Sequence, residues 1–142
     1  METRLEIQFD LEPIVPDTSA SIKSYFNTAL KDAMAESALQ EALASEPRIV
    51  FEQHLPSVTP EQVEIATATL AFALQEGPTI RQYVKEFLDL LMARLSKKAP
   101  TTIDFKWQRG EKELEAKGLS PDDAVKAVID NYEVIMRPRK KK

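Results

Sequence analysis

A chain of 142 residues, 43% apolar and 30% charged, has the size and balance of one globular domain, which argues against a largely disordered polypeptide. It contains no cysteine, so disulfides, thiolate metal sites and a thiol nucleophile are excluded, and a reducing cytoplasmic setting is expected. The net charge of −4 hides an asymmetry: Arg137, Arg139, Lys140, Lys141 and Lys142 supply five of the 19 basic residues, leaving 14 against 23 acidic groups elsewhere, a balance ill suited to gripping a phosphate backbone across a face.

Met1 to Arg4 leads straight into an alternating segment, without the apolar stretch of a signal peptide. Leu5, Ile7 and Phe9 point one way and Arg4, Glu6, Gln8 and Asp10 the other, the pattern of a half-buried strand. Pro13 and Pro16 end its pairing, because proline has no N–H to give to a ladder. Ile22, Tyr25, Phe26, Ala29, Leu30, Ala33 and Met34 then recur at spacings of three and four, which predicts an amphipathic helix. It runs on through Leu39 and Leu43 or breaks near Ser37, and Pro47 stops it.

Ile49, Val50 and Phe51 mark a short second strand within Arg48 to Leu55. Thr59-Pro60-Glu61-Gln62 has the form of a capping box with proline in the first turn, so a second helix is predicted to carry Val63, Ala66, Leu70, Phe72, Ala73 and Leu74. Gly77-Pro78 breaks the chain. A third helix follows, striped by Ile80, Tyr83, Val84, Phe87, Leu88, Leu91 and Leu95, with Leu90 and Met92 widening its apolar arc. Ile103, Phe105 and Trp107 alternate on a strand that turns at Gly110 and returns through Leu114 and Ala116. Gly118 leaves that strand, and Ser120-Pro121-Asp122-Asp123 opens a last helix striped by Ala124, Val125, Val128, Ile129 and Tyr132.

The predicted order is β-α-β-α-α-β-β-α. It implies an α+β fold in which one four-stranded mixed sheet carries its helices mainly on one face. Residues 1–136 would form the single domain and 137–142 a disordered basic tail.

Nothing in the chain assembles a recognisable catalytic centre. His54 is the sole histidine, with no nucleophile or acid in a readable pattern around it, and a packing or surface role accounts for it. Asp122 and Asp123 read as helix-start residues, and Glu111, Glu113 and Glu115 as a solvated strand face, so no metal or other cofactor is expected. Gly77, Gly110 and Gly118 are too far apart for a phosphate loop. Phe105 and Trp107 could form a base-stacking platform, but their shared face with Ile103 and Leu114 reads as core.

Ala66–Leu74 as a buried helix, Gly77, Ile80–Leu95, Ile103–Trp107, Gly110, Leu114–Lys117 and Ser120–Tyr132 follow one another in an order that resembles the small effector-associated domains of bacterial conflict systems. The resemblance implies an adaptor that joins a sensor or switch to an effector by like-with-like association, without catalysis. The resulting expectation is a non-catalytic protein–protein interaction module, self-associating or recruiting an effector in bacterial defence or signalling. The candidate contact surfaces are the third helix, through Ile80, Tyr83, Phe87, Leu90, Leu91 and Met92, and an exposed sheet edge. The alternatives are an acidic inhibitor or antitoxin-like protein binding a basic partner, and a small enzyme with a dispersed site. Arg137, Arg139, Lys140, Lys141 and Lys142 are the candidate contacts to nucleic acid or an anionic membrane.

Overall fold

The computed structural model describes residues 3–11, 19–54, 65–75, 77, 79–95 and 101–136. Its elements are β1 (Thr3–Leu11), α1 (Ser19–Glu36), the single turn α2 (Leu39–Ala42), β2 (Arg48–His54), β3 (Ile65–Leu74), α3 (Ile80–Leu95), β4 (Thr101–Arg109), β5 (Lys112–Leu119) and α4 (Pro121–Met136). The five strands form one sheet in the order β2-β3-β1-β4-β5, every neighbouring pair antiparallel.

The fold class is α+β, but the expected four-stranded mixed sheet is corrected to a five-stranded antiparallel one. The difference lies in Ala66–Leu74, predicted as a helix and observed as the strand β3. Alanine is the strongest helix former, and four alanines among threonines made the segment look apolar all round. The large residues tell otherwise. Leu70, Phe72 and Leu74 are spaced by two and are buried, while Ala71 and Ala73 between them are only half-buried. The capping box at Thr59–Gln62 and the basic tail lie outside the described residues.

β1 occupies the centre because it is paired on both flanks, to β3 and to β4. Since β3 runs against both β1 and β2, those two are parallel to each other with β3 between them. Likewise β3 and β4 are parallel with β1 between them. Two split β-α-β units therefore interlock, the arrangement of ferredoxin-like folds. The β4-β5 hairpin and α4 are added to that frame.

The helices lie over one face. Leu5, Ile7, Phe9 and Leu11 of β1, Ala68 and Leu70 of β3, and Ile103, Phe105 and Trp107 of β4 are buried beneath them. Helix α3 sits among the other helices, touching α1, α2 and α4, and reaches the sheet where Phe87 meets Phe72 edge-on at 5.6 Å between ring centres. The Tyr25 hydroxyl of α1 donates to the carbonyl of Arg94, whose guanidinium pairs with Glu36 at 2.6 Å. Helix α1 ends at Ser37, where the Oγ accepts from the N–H of Leu39, so the helix breaks rather than running on to Leu43. Ser120 caps α4 as expected, accepting from the Asp123 N–H at 3.3 Å.

Gly110 makes the β4-β5 turn with φ 61°. Gly118 does not leave the strand as predicted; it lies within β5, at φ 70°, in a bulge. Phe105 pairs with Ala116 but Ile103 with Leu119, so one extra residue is accommodated, and the Gly118 N–H is taken up by Asp104 Oδ1 at 2.8 Å. A Cβ at Gly118 would meet nothing within 4 Å. Gly118→Ala is therefore expected to cost only the left-handed backbone term, about 1–2 kcal/mol, read as a lowered urea midpoint with an unchanged slope.

Candidate interaction surface

The face of the sheet away from the helices is polar. Each row crosses several strands: Ala73, Arg4, Gln108 and Glu113; Arg48, Ala71, Glu6, Lys106 and Glu115; Glu52, Thr67, Asp10 and Thr102. The side chains of β3 are short here, alanine and threonine, and leave a trough. Part of it is a hollow of about 320 Å³ bordered by Arg4, Glu6, Ser45, Arg48, Lys106 and Gln108. Among the described residues no phenylalanine, tyrosine or tryptophan lies on this face, and carboxylates (Glu6, Asp10, Glu52, Asp104, Glu113, Glu115) outnumber the lysines and arginines (Arg4, Arg48, Lys106, Lys117). Phe105 and Trp107 lie on the opposite face, 3% and 0% exposed, so they are core and not a stacking platform.

Exposed charges on this face pair across β4 and β5. Lys106 Nζ lies 3.1 Å from Glu113 Oε1. That hydrogen bond first, and the Glu113 charge second, hold the Lys106 ammonium above the ordinary lysine range. Because the folded value is raised, the small stabilisation is complete below the ordinary lysine range and is lost as pH rises through the raised value. Asp10 Oδ1 accepts from the Thr67 hydroxyl at 3.2 Å.

A second hollow of about 380 Å³ lies between α3 and α4, bordered by Arg81, Lys85 and Lys126 against Asp89, Asp122 and Asp130. Arg81 Nε sits 3.2 Å from Glu133, and Lys85 Nζ 2.7 Å from Asp89. Cations and carboxylates alternate, so this groove offers neither an anion site nor a cation site. Among the described residues no three metal-ligating side chains converge.

The sequence-predicted contact residues of α3 lie inside. Ile80, Phe87, Leu91 and Met92 are 5% exposed or less, and Tyr83 and Leu90 are half-buried against the core. The broad apolar arc is used up by the sheet and the neighbouring helices. The described face that α3 turns to solvent is polar, with Lys85, Glu86 and Asp89.

The two sheet edges differ. β5 presents Lys112, Glu113, Glu115 and Lys117 and contains the Gly118 bulge, the devices that discourage strand addition. Among the described residues β2 pairs only with β3, and its Ile49 and Val50 are 44% and 45% exposed. Among the described residues the remaining exposed large apolar side chain is Val134, on α4. The signal in the sequence is Ile49-Val50-Phe51 itself: three consecutive apolar residues in a strand put apolar groups on both faces, and one of those faces is open.

No protein-family model matches the chain, and no curated protein matches it significantly. Among solved structures it is similar to a chain from the Csm3-Csm4 subcomplex of the type III-A CRISPR-Cas interference complex, with a TM-score of 0.50 and 11% identity over 92% of this chain and 95% of that one. The likeness is one of fold alone. A phage SAM lyase in its apo state aligns with a TM-score of 0.41 and 11% identity over 80% of this chain and 88% of that one. A tripeptidase from Staphylococcus aureus aligns with a TM-score of 0.36 and 10% identity over 93% of this chain and 35% of its own. Of the elements that suggested an effector-associated domain, those from Ile80 onward have the expected type, and Ala66–Leu74 does not. No described helix is long and apolar enough to cross a membrane.

Proposed function

We propose that this chain is a non-catalytic protein–protein interaction module of the bacterial cytoplasm, self-associating or recruiting an effector in a defence or signalling system. The observation that carries the reading is the β2 edge, with Ile49 and Val50 exposed beside backbone that no other described strand covers. Adding a strand to such an edge gains main-chain hydrogen bonds and buries apolar side chains together. A fold shared with a chain of a multi-protein interference subcomplex supports the same reading. With α3 occupied in the core, the contact surface in this reading is β2.

The test uses the tagged full chain, by light scattering at micromolar concentration and by pull-down. Self-association or recovery of a partner is expected, and both should be lost when lysines are placed on the edge in Ile49→Lys/Val50→Lys. A strictly monomeric protein that recovers no partner overturns the proposal.

The second reading, an acidic inhibitor of a basic partner, draws on the excess of carboxylates on the open face. It expects binding that weakens steeply with added salt. Association insensitive to salt removes it and favours the apolar edge.

A further inference from the structure

We infer that the occupant of the β2 edge is a second copy of this chain, paired β2 to β2 about a two-fold axis through Val50; the inference rests on the interaction reading above.

The direction of the free backbone groups follows from the ladder. The Ala73 carbonyl accepts from the N–H of Ala44 on the β2 side. Backbone groups alternate along a strand, so Ala71, Thr69 and Thr67 also turn theirs toward β2. Their partners Arg48, Val50 and Glu52 turn theirs back toward β3. The N–H and C=O of Ile49, Phe51 and Gln53 therefore point away from the sheet, ready for another strand.

Two-fold pairing limits the register. An axis normal to the sheet keeps both helix layers on one side, so residues facing each other must share a face. The centre must then fall on a residue and not between two. Centring on Ile49 sets Arg48 against Val50 of the second copy, and centring on Phe51 sets Val50 against Glu52. Centring on Val50 satisfies the five positions from Arg48 to Glu52. Arg48 faces Glu52 of the other copy, twice by symmetry. Ile49 faces Phe51 on the helix side, as a hydrogen-bonded pair that uses the outward groups. Val50 meets its own copy on the open side, as a non-hydrogen-bonded pair, the closer of the two pair types. The sequence of this strand is thus complementary to itself in charge and in apolar character. The result is a continuous ten-stranded sheet that closes as a dimer, whereas pairing β2 with the charged β5 edge would propagate without closing.

The experiment uses the full chain. Wild type is expected to sediment as a dimer in the micromolar range. Arg48→Glu, which sets like charges opposite one another twice, should weaken the dimer about tenfold. Arg48→Glu/Glu52→Arg should restore it, since the swapped charges again face each other. Because the chain has no cysteine, Val50→Cys should form a disulfide across the axis under mild oxidant, the distance between non-hydrogen-bonded partners being suitable for the bond. Val134→Cys on α4 serves as the exposed control and should cross-link far more slowly. A monomeric wild type overturns the inference, as does a dimer whose strength ignores the charge reversal, or a Val50→Cys no faster than the control. The interaction reading is judged separately, by whether Ile49→Pro, which removes an outward N–H and spares the β2-β3 ladder, abolishes partner recovery in the pull-down.

Discussion

Trp107→Ala is expected to lower the stability of the protein by about 3–5 kcal/mol, a large part of the roughly 5–15 kcal/mol that holds a domain of this size folded. Trp107 is fully buried at the junction of β4 and α4. Its ring meets Tyr132 at 5.5 Å between centres, and its Nε1 donates to the Val128 carbonyl at 3.0 Å. Removing the ring leaves a cavity under α4 that the helix can close only by abandoning its contacts with β4. With a urea slope of about 1–3 kcal/mol per molar, the midpoint should fall by roughly 2 M. Trp107→Phe separates the two contributions. It keeps an aromatic ring against Tyr132 and loses the hydrogen bond, and Val128 retains its helical partner, so a much smaller loss of about 1 kcal/mol is expected. Equal losses for the two variants would contradict the packing account.

Phe26→Ala should be comparably severe, about 3–5 kcal/mol, and its effect should depend on Ala68. Phe9, Ala68 and Phe51 face one another across β1, β3 and β2. Ala68 is fully buried and too short to fill its place in that row. Phe26 of α1 fills it instead, 5.4 Å from the ring of Phe9 and 6.4 Å from that of Phe51. Ala68→Leu alone should overpack the site and cost about 1–3 kcal/mol. Together with Phe26→Ala it should cost clearly less than the two losses added, because the new side chain occupies the vacated space. Strict additivity, measured by denaturation of the four proteins of the cycle, would show that Phe26 and Ala68 do not share a space.

The amphipathic elements were legible because their periodicity reflects one buried face. Leu5, Ile7 and Phe9 alternate, and α3 and α4 carry apolar residues at three and four. Each pattern appears in the structure as read. β3 is not legible as a strand, for a physical reason. Ala66 and Ala68 precede Leu70, Phe72 and Leu74 on its buried face, its other face holds Thr67, Thr69, Ala71 and Ala73, and small residues carry little periodic signal. The composition that made it look helical gives the sheet its shallow trough and leaves room for Phe26. The proposed contact surface is half legible in the sequence. A sheet edge is a candidate from the sequence, and the apolar excess of α3 reads there equally as a docking face or as a helix wedged in the core; Leu90 and Met92 pack within the helical layer.

Residue types and local periods are enough for the α+β class, the start of α4 at Ser120 and the turn at Gly110, and a chain without cysteine has no thiol chemistry. The tertiary structure alone decided which strands are central and which are edges. That choice depends on pairings such as Leu5 with Phe72 and with Trp107, far apart in the chain, and no local pattern encodes them. By leaving β2 at the margin, those pairings turn Ile49-Val50-Phe51 from an ordinary strand into a surface that another chain can extend.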